Sequence, residues 1–165
     1  MSQPSVLKCE GTVEDTADEK EDFVEQKCGE KVLRILSVFS GMGEKGCLRE
    51  FLESKAIEKG VNHVLEEIDI AKGRAHDVRR RSVRQRLLTK VARGTFDVVI
   101  TSPPCSTFSR TRWSGRPGPP PPVRSGRFLF GLPRLKNKNL EKVQQANMMA
   151  NFALELLEVQ HDLGP

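Results

Sequence analysis

The sequence has no tyrosine, a single tryptophan (Trp113) and four cysteines among which no CxxC pair occurs. Cys9, Cys28, Cys47 and Cys105 have no histidine spaced to complete a zinc set, so neither a metal centre nor a disulfide scaffold is supported, and a reducing compartment is expected. No run approaches the roughly 18 consecutive apolar residues of a membrane helix. The first thirty residues are acidic instead of a basic stretch leading into an apolar one. The expectation is an intracellular protein, not secreted, with neither nucleus nor cytoplasm favoured. The 165 residues supply one domain's core at most.

Charge is plentiful and unevenly placed. Residues 1–30 hold nine acids and three bases, so the remainder, with 13 acids and 24 bases, carries a net charge of +11. Two blocks supply most of it: nine bases against Asp77 alone between Lys72 and Arg93, and eight bases with no acid between Pro103 and Leu140. Fields of one sign favour a polyanionic partner, nucleic acid above all; the alternative is a solvated basic face that only aids solubility.

The leader 1–30 is acidic, poor in large apolar residues and aperiodic, which predicts disorder. From Lys31 the pattern changes. Val32, Leu33, Ile35, Leu36, Val38 and Phe39 form a short apolar run that predicts a strand buried on both faces. Cys47, Leu48, Phe51 and Leu52 recur at helical spacing and predict an amphipathic helix ending near Gly60. Val61 to Ile70 reads as a second strand, Val78 to Arg93 as a helix closed by Gly94, and Phe96 to Thr101 as a third strand. A Pro/Arg-rich loop over 106–138 leads to a last helix beginning near Asn139 and burying Val143, Ala146, Met149, Ala153 and Leu156 or Leu157. Alternating strands and helices predict an open, mostly parallel α/β sheet, with ligands at the carboxyl ends of its strands.

Both unusual motifs fall at such ends. Gly41-Met42-Gly43-Glu44-Lys45-Gly46 fits GxGxxG between a strand and a helix, with Glu66 and Glu67 at the distance from which a carboxylate binds ribose. A Walker loop is excluded because Cys47-Leu48 replaces its Lys and Ser/Thr. NAD(P), FAD and S-adenosylmethionine remain as ligands, alongside a purely structural reading in which the glycines let strand and helix pack closely. Pro103-Pro104-Cys105 is more specific: two prolines fix the backbone before a thiol among Arg110, Arg112 and Arg116, where a thiolate is favoured for nucleophilic catalysis. The alternative is an inert cysteine.

Together these residues resemble the cytosine-5 DNA methyltransferases, in particular their divergent branch of phages and mobile elements. The likeness runs from about Leu33 to the end. Val38-Phe39-Ser40-Gly41-Met42-Gly43 is similar to the family motif that wraps the methionine part of S-adenosylmethionine. Glu67-Ile68-Asp69 is similar to the motif whose acid binds the ribose, with either acid eligible, and His76-Asp77-Val78 to the one that recognises adenine. Pro103-Pro104-Cys105 matches the motif of the catalytic cysteine, with Pro103 also expected to touch the cofactor, and Ser106 to Arg112 would start the loop that closes on DNA. The resemblance implies a Rossmann-like methyltransferase fold and a Cys105 thiolate that adds to carbon 6 of a flipped-out cytosine, while carbon 5 takes the methyl group. Arg110, Arg112, Arg116, Arg124 and Arg127, with Trp113, Phe108, Phe128 and Phe130, would then meet DNA phosphates and bases.

The sequence departs from the family at Ser37, where an acid is usual, which implies weaker cofactor binding. The segment between Asp69 and Asp77 is too short for a full helix and strand. The family's next strand, with its Glu-Asn pair, and its later motifs are not recognisable. The expectation is therefore the cofactor-binding portion only, a truncated open parallel sheet without turnover of its own, stabilised by a partner that completes the sheet. Two rivals are a catalytically dead nucleic-acid-binding module and an NAD(P)-dependent oxidoreductase built on the same glycine turn.

Overall fold

The structure, a computed structural model, describes residues 32–41, 47–109, 112, 118 and 120–164. The acidic leader, Met42, Gly43, Arg110, Trp113 and Arg116 lie outside the described residues. The fold is α/β. Strand β1 (Val32–Val38) is central in a three-stranded sheet of order β2-β1-β3, with β2 spanning Asn62–Ile68 and β3 Val98–Thr101. Both pairings are parallel, Val38 lying opposite Ile68 on one side and Thr101 on the other. The apolar run of β1 has this explanation: a central strand of a parallel sheet buries both faces, and Ile35, Leu36, Ser37 and Val38 are all buried. Among the described residues the outer edge of β3 pairs with no strand.

Helix α1 (Leu48–Lys59) follows β1 and ends at Gly60, whose φ of 61° is the left-handed cap that glycine adopts without a side-chain clash. Its amphipathic packing is weaker than the spacing predicts. No residue of α1 is fully buried, Phe51 is 58% exposed and Ile57 85%. An ion pair joins it to β2, from Arg49 to Glu67 at 2.6 Å.

Helix α2 (Arg81–Ala92) starts three residues later than its periodicity predicts, because Asp77 caps a local turn by accepting the N–H of Arg79 at 3.0 Å. Val78 is nonetheless buried beside Val83, Leu87 and Val91. The last helix, α3 (Asn137–Asp162), begins two residues before the predicted cap. It sets Phe152 and Leu156 against α2 and the face of the sheet formed by Leu36, Val38 and Ile68. Burying a leucine or phenylalanine of this kind stabilises by about 1.5–3 kcal/mol, so this single cluster anchors the sheet to its two longer-reaching helices. Of the predicted core positions Val143, Ala146, Ala153 and, of the Leu156/Leu157 alternative, Leu156 are buried, whereas Met149 is only partly buried.

Candidate functional site

Three strand ends are tied to one another at the carboxyl edge of the sheet. Phe39 donates its N–H to the Ile68 carbonyl at 2.7 Å, and Ser102 donates to the Val38 carbonyl at 3.1 Å. The chain then leaves β1 in an unusual conformation, with φ of 68° at Phe39 and 75° at Gly41. Glycine takes this region freely, whereas a bulky aromatic residue there is a strained outlier costing on the order of 1–3 kcal/mol, and such strain collects at ligand sites.

The turn opens a cavity of about 390 Å³, within the range of small-ligand pockets. Phe39 and Gly41 form one wall, Ile68, Asp69 and Ile70 the next. Residues His76 to Arg79 close the third side, and Ser102 and Pro104 reach it from the end of β3. Helix α3 contributes Gln145 and Met149. The short segment between Asp69 and Asp77 holds two turns of 3₁₀ helix, Ile70–Lys72 and Arg74–His76, in place of a longer element.

The two candidate ribose acids separate clearly. Glu67 is 8% exposed and does not line the cavity; Arg49 (2.6 Å) and Lys72 (2.8 Å) hold its carboxylate. Burial alone raises its pKa, but the hydrogen bonds from Lys72 and Arg49 outweigh that and hold it below the ordinary value. The same pairing raises the pKa of Arg49. Asp69 does line the cavity, and its two oxygens accept the N–H groups of Gly41 and Ala71, each at 2.9 Å. It thereby fixes the glycine turn while staying within reach of a ligand. Asp77, also on the wall, is gripped by the Arg79 guanidinium at 2.9 Å, which lowers its pKa.

Two polar atoms of this region are buried without a partner, Ser40 Oγ beside the Phe39–Gly41 wall and His76 Nδ1 on a residue of the third side. Pro103 was expected to touch the ligand; its neighbours Ser102 and Pro104 take that place. Cys105 lies one residue beyond the wall and is exposed. Its turn is closed by Phe108 N–H donating to the Cys105 carbonyl at 2.8 Å.

The expected nucleic-acid arginines need correction. Arg124 is 6% exposed and is not available to phosphate. All five of its N–H donors go to protein oxygens: Thr107 Oγ1 twice, the Leu129 carbonyl, Asn147 Oδ1 and the Val143 carbonyl. Its guanidinium lies 3.8 Å from the centre of the Phe108 ring. Arg112 donates to the carbonyls of Ser106 at 2.6 Å and Pro121 at 3.0 Å, bracing the loop that was expected to swing onto DNA. Arg127 remains exposed, 5.6 Å from the Phe128 ring.

Gln145, Met149 and Ile70 were not foreseen as site residues. Met149 fits a core stripe by spacing, and nothing local in the sequence says that α3 crosses the strand ends. Among the described residues no cluster of His, Cys, Asp or Glu is arranged to hold a metal, and no helix is long and apolar enough to cross a membrane. Compared with known protein families, curated proteins and solved structures, the chain matches none.

Proposed function

We propose that this chain is the S-adenosylmethionine-binding portion of a DNA cytosine-5 methyltransferase, with Cys105 as its nucleophile. One arrangement carries the reading: a single cavity bounded by the strained turn after β1, by Asp69 after β2 and by Asp77, with Ser102 and Pro104 leading straight to an exposed cysteine. The volume and the mixed apolar and acidic lining suit a nucleoside-sized ligand bearing hydroxyl and amino groups. Asp69, not Glu67, would take the ribose hydroxyls. Asp77 and the backbone beside it would meet the adenine, and Phe39 to Gly41 the methionine part.

When bound, the cofactor supplies an electrophilic methyl group on sulfonium. Cys105, as thiolate, would add to carbon 6 of an extruded cytosine so that carbon 5 can attack that methyl; loss of the carbon 5 proton and expulsion of the thiolate restore the ring. The Glu-Asn pair whose acid protonates the ring in the resembled family is not recognisable in this sequence, so this chain would bind cofactor and nucleic acid without turning over alone.

Calorimetric titration with S-adenosylhomocysteine tests the reading. Binding is expected, weakened at least about tenfold by Asp69→Ala, which removes both the ribose acceptor and the tie to Gly41. No binding by a folded chain overturns it. A second reading, a catalytically dead nucleic-acid-binding module, draws on a separate observation: Arg74, Arg80, Arg81 and Arg93 are all exposed. Salt-dependent DNA binding unaffected by Cys105→Ser, with no cofactor binding, would favour it.

A further inference from the structure

We propose that Arg124 is a positioning residue for Cys105, locking the cysteine turn to the part of α3 that forms the cavity wall; the inference rests on the reading of Cys105 as the nucleophile. The starting point is a shortage of donors. Residues 103–136 contain eight prolines, each with a carbonyl oxygen and no N–H, and the described part of this loop forms no strand or α-helix that would pair its carbonyls. A guanidinium carries five N–H groups and no acceptor, so one arginine can satisfy several such oxygens at once.

Arg124 does so with no carboxylate bonded to it among the described residues. Burial lowers its pKa, yet an arginine keeps its proton at neutral pH, so among the described residues a buried cation is held here by neutral oxygens and a ring face. That is a costly arrangement unless every donor is matched, and every one is.

The partners divide into two groups. Thr107 and Phe108 belong to the turn that Cys105 begins, and Arg124 holds one by its hydroxyl at 3.0 Å and the other by its ring. Val143 and Asn147 belong to α3, in the same two turns as Gln145 and Met149 of the cavity wall. The thiol-bearing turn and the ligand cavity are thus referenced to one stretch of helix, through one side chain. A lysine cannot replace it, because three donors on a single nitrogen do not reproduce the planar fork that spans Thr107, Leu129 and Asn147.

A nitroxide attached to Cys105, with Cys9, Cys28 and Cys47 changed to Ser, tests this by electron paramagnetic resonance without any cofactor. The unaltered turn should give a broad, immobilised spectrum. Thr107→Val, which keeps shape and removes the acceptor, and Arg124→Lys should each shorten the rotational correlation time at least about twofold, toward the nanosecond motion of free loops. Thr107→Ser, which restores the hydroxyl, should restore the broad spectrum. A label at Cys47 with Cys105→Ser, at the start of α1, should be unmoved by Thr107→Val. An immobilised Cys105 spectrum in folded Thr107→Val, or equal loosening at both labels, overturns the proposal. Should Arg124→Lys fail to fold, the Thr107 pair decides. Since the spectrum needs no ligand, failure to bind S-adenosylhomocysteine overturns the functional reading and leaves this measurement intact.

Discussion

Nine bases between Lys72 and Arg93 and eight between Pro103 and Leu140 give the chain two regions of one sign, and the structure employs their charge differently. Around α2, several cations are matched by acids: Lys72 meets Glu67, Lys90 meets Glu66 at 3.1 Å, and Arg79 grips Asp77. Of these pairs Lys90–Glu66 ties α2 to β2, while Lys72–Glu67 and Arg79–Asp77 hold the segment between them. Arg74, Arg80, Arg81 and Arg93 are left over and face solvent. The proline-rich loop has no acid to offer, and Arg112 and Arg124 spend their donors on hydroxyl, amide and carbonyl oxygens. A basic residue counts toward a phosphate surface only after its use as an internal donor has been subtracted, and that subtraction removes Lys72, Arg79, Arg84, Arg86 and Lys90 from the helix region and Arg112 and Arg124 from the described loop.

The largest expected effect follows from the loop. Arg124→Met keeps most of the volume but leaves Thr107, the Leu129 and Val143 carbonyls and Asn147 short of donors, which should cost about 2–4 kcal/mol of folding stability in urea denaturation. A loss below about 1 kcal/mol would mean that water replaces the guanidinium easily and that the loop is not braced as described.

The matched pairs should give a smaller, pH-dependent effect. Glu67→Gln removes the buried charge facing Arg49 and Lys72, both of which are partly exposed and can rehydrate, so about 1–2 kcal/mol is expected near neutral pH. The folded pKa of Glu67 lies below its ordinary 4.5, so the pair's contribution is complete above that pH and is lost as pH falls through the lower, folded value. Acid titration of stability should therefore converge for the two proteins. Asp77, also lowered, from 3.8 by Arg79, should preserve some slope in Glu67→Gln. Parallel curves for the variant and its parent would break the assignment.

The strands, the helix ends at glycine and the ligand edge of the sheet were legible because each rests on local chemistry: the continuous apolar run of β1, Gly60 and Gly94 in left-handed caps, and motifs placed after strands. What was not legible depends on partners distant in sequence. Glu67 and Asp69 read alike until Arg49, 18 residues away, claims one of them. Arg124 reads like Arg127 in the text, yet acceptors 17 and 23 positions away turn it inward. Charge patterning records that a cation is present; only the fold decides whether its donors point to water.

The helix arginines give the smallest expected effect on folding and the sharpest test of the comparison. Exposed as they are, Arg74, Arg80 and Arg81 can be replaced together by Ala with folding stability changed by less than about 0.5 kcal/mol in urea. If they meet a duplex backbone, DNA affinity should fall and the slope of log affinity against log salt should shrink by about 0.9 per charge removed, up to about 2.7 in all. Arg124→Met, measured while folded, should leave that slope alone, since a buried guanidinium displaces no counterion. The reverse result, an unchanged slope in the triple variant and a reduced one in Arg124→Met, would show that the proline-rich loop opens to present its arginines and that the buried arrangement belongs only to the protein without DNA.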